Sequence, residues 1–246
     1  MSDIKAEPKA DATPTAEVVL ELRHVTFSGR STDSLRLMDA DLSVHAGELV
    51  MLQIDRSDKA RDTVSMLQGL QPINHGEVIF KNQDWLGEDY SRHFQMRSQI
   101  GRVFEEHGWI QNMTVYENVI MASLHHGQTQ STIEQRLKHW AKHFELPLIS
   151  RERPAFVESS VLQLHQWIRA LIHHPSLILL EHPMQSVAAH MRSKLIGAIN
   201  QLRDAGAAVI WFTSNPNDLS TAITGPVFRM TISGGQFEMC GGDISE

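Results

Sequence analysis

A strand, a polar turn and a helix follow one another in Gly47–Leu70, and this stretch constrains the fold more than any other. Its first part, Leu49–Ile54, is a short apolar run typical of a buried strand. The turn Asp55–Lys59 follows, and apolar spacing then predicts a helix that reaches Leu70. Units of this kind often carry a phosphate loop of the pattern G-x-x-x-x-G-K-[ST]. Here the scaffold of such a loop is present and its characteristic residues are absent.

The composition is that of a globular protein with one large domain or two small ones. The 246 residues are 41% hydrophobic and 21% charged. A formal charge of −7 argues against general nucleic-acid binding, which needs a basic surface. No apolar run is long enough for a membrane span, and the N-terminus has no signal-peptide core, so we expect membrane association only through a partner. The single cysteine, Cys240, makes a reducing cytoplasm the expected compartment.

Periodicity along the chain predicts strands that alternate with helices. Residues 1–17 contain few large apolar side chains, so we expect a disordered tail. The predicted strands are Val18–Phe27, Leu35–Val44, Leu49–Ile54, Glu77–Phe80, Ile100–Phe104, Leu177–Leu180 and Ala207–Phe212, followed by a hairpin in Val227–Gly242. The predicted helices, apart from the one ending at Leu70, are Tyr90–Ser98, Thr114–Leu124, Thr132–Phe144, Leu162–His173 and Ser193–Ala205. This pattern predicts an α/β core in residues 18–104 and 170–246 with a helical subdomain inserted at 105–169.

Short motifs recur in a fixed order along the same stretch. They are GELV at 47–50, GL at 69–70, GEV at 76–78, IG at 100–101, VF at 103–104, NMTVYENV at 112–119, RAL at 169–171 and LILLEHP at 177–183. In their order and spacing these motifs make the chain resemble the ATP-binding subunits of ATP-binding-cassette (ABC) transporters over Val18–Gly242. The resemblance implies a P-loop-NTPase-like core with N-terminal antiparallel strands. The NMTVYENV motif is similar to that of lipid-transport members.

The resemblance places the family's phosphate loop on residues that lack its chemistry. The loop falls on Ile54, Asp55, Arg56, Ser57, Asp58, Lys59, Ala60, Arg61 and Asp62. Its glycines, which let backbone N–H groups surround a phosphate, fall on Ile54, Ser57 and Lys59. Its lysine falls on Ala60, and its metal-binding hydroxyl pair on Arg61 and Asp62. Charge-assisted hydrogen bonds contribute about 1.5–3 kcal/mol each, so most phosphate affinity should be lost unless Lys59, Arg56 and Arg61 compensate from shifted positions.

The family's other nucleotide-contacting positions are altered as well. The loop glutamine falls on Glu105, the metal-organising aspartate on Glu181, the general base on His182, the next aspartate on Ala188, the switch histidine on Ser214 and the adenine-stacking aromatic on Gly29. The signature motif falls on Val157, Glu158, Ser159, Ser160 and Val161, which puts a carboxylate where a serine would meet the γ-phosphate. Loss of a general base typically costs 10²–10⁴-fold in rate. We therefore expect no intact catalytic position and no cofactor.

Two further patterns have a structural interpretation. Ile232–Gln236 spells ISGGQ, but it follows Leu177–Leu180, whereas the family's signature precedes that strand. A hairpin turn at the glycine pair is the better interpretation. His139 and His143 are four residues apart on a predicted helix, but no third ligand is near in sequence, so we expect no metal site.

The NMTVYENV segment lies near the position at which family members engage a membrane permease. We therefore expect partner-docking residues at Trp109, Asn112, Met113, Thr114 and Tyr116. Packing is the alternative role for Trp109.

The sequence predicts an ABC-type subunit without normal ATP hydrolysis, a pseudo-ATPase with a structural or regulatory role. Its expected partners are a membrane permease at the inner face of the cell membrane and a second, intact ATPase subunit. Two alternatives stay open. One is a weak ATPase that binds ATP and Mg²⁺ through displaced Lys59 and Glu181. The other is a soluble protein-interaction module on an ABC scaffold.

Overall fold

The computed structural model describes residues 16–87, 89–106, 108–218 and 222–240, so nearly all of the predicted tail lies outside the described residues. The strands are β1 (Val18–Ser28), β2 (Arg36–His45), β3 (Leu49–Gln53), β4 (His75–Phe80), β5 (Gln83–Asp84), β6 (Ile100–Val103), β7 (Leu177–Glu181), β8 (Ala208–Thr213), β9 (Val227–Ser233) and β10 (Gln236–Met239). The helices are α1 (Arg61–Leu67), α2 (Tyr90–Arg97), α3 (Val115–His125), α4 (Gln130–His143), α5 (Ser159–Leu171) and α6 (Ala189–Asp204).

The N-terminal strands form an antiparallel sheet in the order β2-β1-β4-β5. Buried and exposed residues alternate along β2, as expected where one face of a sheet packs on the core. The pairing of β1 with β2 shifts register three times, which marks bulges in this long strand pair. This sheet confirms the predicted N-terminal antiparallel strands.

The second sheet has the order β10-β9-β3-β8-β7-β6. Its central strands pair in parallel, and all the residues of β7 and β8 are buried. Such burial on both faces is typical of parallel strands covered by helices. The carboxyl ends of β3, β6, β7 and β8 meet at one edge, so the residues that follow each strand lie close together there.

Two apolar clusters lie on the two faces of this sheet. Alternate residues of β3 divide between them: Leu49 and Met51 join the cluster packed on α3–α6, and Val50 and Leu52 join the cluster between the two sheets. Helix α5 belongs to the first cluster and packs on β6, and it continues past residue 169. The predicted boundary of the helical subdomain therefore falls inside a helix.

Two glycine-containing turns explain where the elements end. Helix α1 stops at Leu67 rather than Leu70, because Gly69 has φ +61° and the N–H groups of Gly69 and Leu70 donate to the carbonyls of Met66 and Ser65 in a Schellman motif. Gly234 and Gly235 have φ +57° and +86° and connect β9 to β10. The ISGGQ sequence is therefore a hairpin turn, as predicted.

Candidate functional site

A cleft of about 810 Å³ opens where the phosphate loop was predicted. The turn before α1, the start of α1, the residues after β6 and the end of β7 all line it. Its charged residues are Asp33, Asp62, Glu105, Glu106 and Glu181, together with Arg30, Lys59 and Arg61. Acidic residues therefore outnumber basic ones in the cleft.

The turn at residues 54–60 has a different architecture from a phosphate-binding nest. Ile54 is buried in the core, and its N–H donates to the carbonyl of Thr213 at 2.9 Å. Ala60 is buried too, and it begins α1 without a side-chain cap. A nest requires alternating right- and left-handed backbone, and no residue in 54–62 has a positive φ. The turn is thus held by apolar packing rather than shaped around an anion.

The two displaced basic residues nearest the turn form ion pairs. Lys59 Nζ lies 2.9 Å from Glu105 Oε1, and this hydrogen bond raises the pKa of Lys59. Arg61 Nη1 lies 3.5 Å from Glu106 Oε2. Both carboxylates belong to the segment after β6, so two of the three cations that could compensate for the missing lysine are paired with that segment. The third, Arg56, is exposed and lines a second pocket together with His182 and Ser214.

Asp62 occupies the position of a metal-binding hydroxyl, and its carboxylate is already hydrogen-bonded. It accepts from Ser34 Oγ, Gln71 Nε2 and the N–H of Arg30, each at 2.7 Å. Burial acts to raise the pKa of Asp62, but these hydrogen bonds outweigh it and lower the pKa. A Cβ on Gly29 would lie 2.6 Å from Asp62 Oδ2, so this loop has no space for an adenine-stacking side chain.

Glu181 forms a buried ion pair with Arg102, which the sequence analysis did not identify. Arg102 Nε donates to Glu181 Oε1 at 2.6 Å, and both side chains are almost fully buried. Burial raises the pKa of Glu181, and the Arg102 cation opposes this shift. The sequence did contain a signal for this pair. Arg102 is a basic residue inside the apolar strand β6, and a buried charge requires a partner.

His182 and Ser214 lie beside a smaller pocket of about 320 Å³. His182 follows β7 with φ +43°, and its N–H donates to the carbonyl of Phe212 at 3.0 Å. Burial lowers the pKa of His182, while Glu105 and Asp218 act in the opposite direction. Ala188, at the following aspartate position, begins α6 with no side-chain cap.

The signature positions do not line the cleft. Val157 precedes α5, and Glu158 is the N-cap residue of that helix. The Glu158 carboxylate accepts a hydrogen bond from Ser160 Oγ at 2.7 Å. A carboxylate at a helix N-terminus complements the helix dipole and would repel a phosphate there.

The predicted docking segment is anchored by Trp109. This side chain is only 9% exposed and belongs to the core cluster, with the Arg169 guanidinium 4.4 Å from its ring centre. Its burial favours packing over an exposed docking role. Asn112 is exposed, and Met113 is half-buried.

The two remaining docking candidates begin α3. Thr114 caps the helix and forms a capping box with Glu117. Tyr116 is half-buried beneath the Arg151 guanidinium, 3.6 Å from its ring centre, and its hydroxyl accepts from Gln130 Nε2 at 3.2 Å.

The described residues contain no group of three or more His, Cys, Asp or Glu residues arranged to hold a metal ion. Of the predicted pair on α4, His143 Nε2 contacts the carbonyl of Lys194 at 2.7 Å, and His139 Nε2 contacts Gln201. Nor does the described part of the chain contain a helix with the length and apolar content needed to cross a membrane.

Known proteins resemble this chain in sequence, although no protein-family profile matches it. The sulfate/thiosulfate import ATP-binding protein CysA of Pectobacterium atrosepticum is 27% identical over 172 residues, which are 68% of this chain and 51% of that protein. The lipoprotein-releasing system ATP-binding protein LolD of a Ruegeria species is 26% identical over 206 residues, 81% of this chain and 90% of that protein. The chain spans about half the length of CysA and of the trehalose import protein SugC of Mycobacterium tuberculosis.

Solved structures share the fold. An ATP-binding subunit of an ABC transporter superposes with a TM-score of 0.77 at 17% identity, covering 89% of this chain and 88% of that one. An ATP-binding cassette in a dimeric post-hydrolysis state with ADP and Pi gives 0.76 at 20% identity, covering 89% and 96%. The chain is a homologue of the ATP-binding subunits of ABC transporters and has the fold of their nucleotide-binding domains.

Proposed function

We propose that this protein is a pseudo-ATPase, an ABC-type subunit that retains the fold without normal ATP hydrolysis. The observation that carries the proposal is the state of the cations near the turn at residues 54–62. Lys59 and Arg61 pair with Glu105 and Glu106, and no residue of the turn adopts the left-handed backbone of a phosphate nest.

Electrostatics in the cleft supports the same proposal. A nucleotide triphosphate is strongly anionic, and the lining residues carry more carboxylates than cations. An incoming phosphate would have to separate Lys59 from Glu105 before it could bind the Lys59 ammonium. These residues do not fit a Mg²⁺–nucleotide, because Glu181 is paired with Arg102 and Asp62 is fully hydrogen-bonded.

The proposed partners are a membrane permease and a second, intact ATPase subunit. The relatives are ATP-binding proteins of import and lipoprotein-releasing systems, and LolD is matched over 90% of its length. Exposed Asn112 and half-buried Met113, Thr114 and Tyr116 form the proposed docking segment. The protein would then lie at the inner face of the cell membrane through its permease.

A weak ATPase is the competing function, and one observation favours it. The side chain of Lys59 is 40% exposed and lines the cleft, so it could turn from Glu105 towards a phosphate. Turnover that requires Lys59 and Glu181 would identify this activity.

Co-purification and turnover together test the proposal. The full chain, co-expressed with a candidate ABC permease and an intact ABC ATPase subunit, should co-purify with the permease. Tyr116→Ala should weaken that association, and Phe156→Ala should leave it intact because this 75% exposed aromatic lies outside the docking segment.

Turnover in the complex should depend on the intact subunit alone. A soluble complex without any permease would instead identify an interaction module, and turnover abolished by Lys59→Ala would overturn the pseudo-ATPase proposal.

A further inference from the structure

Three ion pairs involve residues at the end of β6 and in the segment that follows it. Arg102 of β6 pairs with Glu181 of β7 at 2.6 Å. Immediately after β6, Glu105 pairs with Lys59 and Glu106 pairs with Arg61. The end of β6 is thereby connected to β7, to the turn after β3 and to the start of α1.

Arg102 makes the most extensive set of these contacts. Besides Glu181, its Nη1 donates to Ser65 Oγ at 3.1 Å and to Gln68 Oε1 at 2.9 Å, and its Nη2 donates to the carbonyl of Arg61 at 3.1 Å. All three guanidinium nitrogens are therefore used. A buried charge is tolerated when its partners satisfy it in this way. One side chain thus holds β6, β7 and α1 together.

A series of contacts between rings and guanidinium groups continues from Arg102 to Trp109. The Phe104 ring lies between Arg102, at 4.4 Å, and Arg169, at 5.1 Å. Arg169 also lies 4.4 Å from the Trp109 ring, and its Nη1 donates to the carbonyl of Gly108 at 2.9 Å. Cation–π contacts of this kind strengthen when they are desolvated.

The backbone of the same segment is held from α5. Gln166 Oε1 accepts from the N–H of Phe104 at 2.8 Å, and Gln166 Nε2 donates to the carbonyl of Phe104 at 3.2 Å. Side-chain and backbone contacts therefore fix the segment at Phe104 and again at Gly108 and Trp109, beside the docking segment.

We propose that Arg102, supported by Lys59 and Arg61, acts as an internal ligand of Glu181, a residue that lines the cleft. It connects β6, β7 and α1 without nucleotide or metal and keeps the segment leading to Trp109 in one arrangement. This goes beyond the loss of hydrolysis, because a subunit that cannot hydrolyse ATP could still have a segment that moves on nucleotide binding. Here the docking side of the protein is held in one state whether or not nucleotide is present.

Amide hydrogen exchange on the full chain tests the proposal, with and without millimolar MgATP. In the wild type, exchange in residues 103–106 should be slow and unchanged by MgATP. Arg102→Met should speed exchange in residues 103–106 and 61–68 by about tenfold or more, because the shared contacts are lost. Arg97→Met is the matched control. Arg97 donates to the carbonyls of Gln68 and Gly69 but not to Glu181, so its loss should affect the end of α1 and leave residues 103–106 unchanged.

A double variant separates the effect of the Arg102 contacts on hydrogen exchange from their effect on stability. Arg102→Met leaves the carboxylate of Glu181 buried without its cationic partner and should lower the melting temperature by roughly 10 °C. Arg102→Met with Glu181→Leu removes both charges and should recover most of that loss while exchange in residues 103–106 stays fast. Unchanged exchange in Arg102→Met, or slow exchange in the double variant, would overturn the internal-ligand proposal even where MgATP binding is absent. Slowing of wild-type exchange by MgATP would overturn the internal-ligand proposal alone, because the loss of hydrolysis is tested separately by turnover.

Discussion

The ammonium of Lys59 lies 2.9 Å from the carboxylate of Glu105 and joins the turn after β3 to the segment after β6. The two side chains are 40% and 17% exposed, so solvent screens the pair and its contribution to folding is small. The pair matters more for phosphate binding than for stability. The cation closest to the place of a phosphate-binding lysine is engaged within the protein.

Glu105→Gln should release Lys59 and remove one negative charge from the cleft. We expect affinity for pyrophosphate to rise by about fivefold, the effect of roughly one exposed charge pair, and the free energy of unfolding to change by less than about 1 kcal/mol. Titration calorimetry and thermal melting measure the two quantities. Glu105→Gln combined with Lys59→Ala should abolish the gain; a gain that survives in the double variant would show that Lys59 is not its source.

Acid should destabilise the fold through buried histidines. His165 Nδ1–H donates to the carbonyl of Val161, and Nε2 accepts from the N–H of Ser150 at 3.1 Å, so the folded state holds a neutral ring. Burial lowers the pKa of His165 and lowers that of His173 to about 4. Because the unfolded chain binds these protons near pH 6.5, stability should be constant above that pH and fall from about 6.5 towards 4.

The size of that loss follows from the pKa shift of His173. At about 1.4 kcal/mol per pKa unit, His173 alone should account for roughly 3 kcal/mol by pH 4. Urea unfolding at a series of pH values measures the slope. His165→Leu should be less stable at neutral pH but less sensitive to acid between pH 6.5 and 5, and an unchanged slope would contradict the role given to His165.

Helix α6 should gain stability from a restored N-cap. Ala188 has φ −60° and ψ 143°, the extended backbone of an N-cap, but offers no side-chain acceptor. Ala188→Asp should therefore raise the free energy of unfolding by about 1 kcal/mol in denaturant melts. Ala205→Asp, at the C-cap of the same helix, is the control and should lower stability, since a carboxylate there opposes the dipole. Equal effects at both ends would rule out capping.

Gly101 should resist enlargement because β6 and α5 approach each other closely. A Cβ at this position would collide with the carbonyl oxygen of Ala170. Gly101→Ala should cost about 1–3 kcal/mol of unfolding free energy. Gly197→Ala in α6 makes the matched comparison, since its Cβ would meet only His143 at 3.6 Å and should stabilise the helix by about 0.5–1 kcal/mol. A neutral Gly101→Ala variant would argue against close packing of α5 on β6.

The fold could be predicted from the sequence because its strongest local signals agree with its tertiary packing. Leu177–Leu180 reads as a doubly buried strand and is one, within β7. Element ends were less accurate. Helix α6 begins at Ala189 rather than Ser193, because Ala188 provides no capping side chain to mark the start and Met191 is the only buried residue of the first turn. The short strand β5 was missed, since two residues carry no periodicity.

The site was only partly predictable. Of the residues singled out by motif spacing, Lys59, Arg61, Asp62, Glu105 and Glu181 line one cleft. The partners of those residues depend on side-chain directions across parallel strands, which spacing along one strand does not give. Arg102 reaches Glu181 from the neighbouring strand, and Asp62 is held by Ser34 from a distant loop. The signature positions were expected to face a nucleotide held by a partner subunit, and they do not line the cleft of this single chain.

The central claim is most directly tested by titrating the full chain with MgATP in a calorimeter, alone and together with a candidate permease. The account predicts no saturable binding at micromolar nucleotide and the same result for Lys59→Ala. Micromolar affinity in the wild type that Lys59→Ala abolishes would contradict it, because Lys59 would then hold a phosphate rather than Glu105.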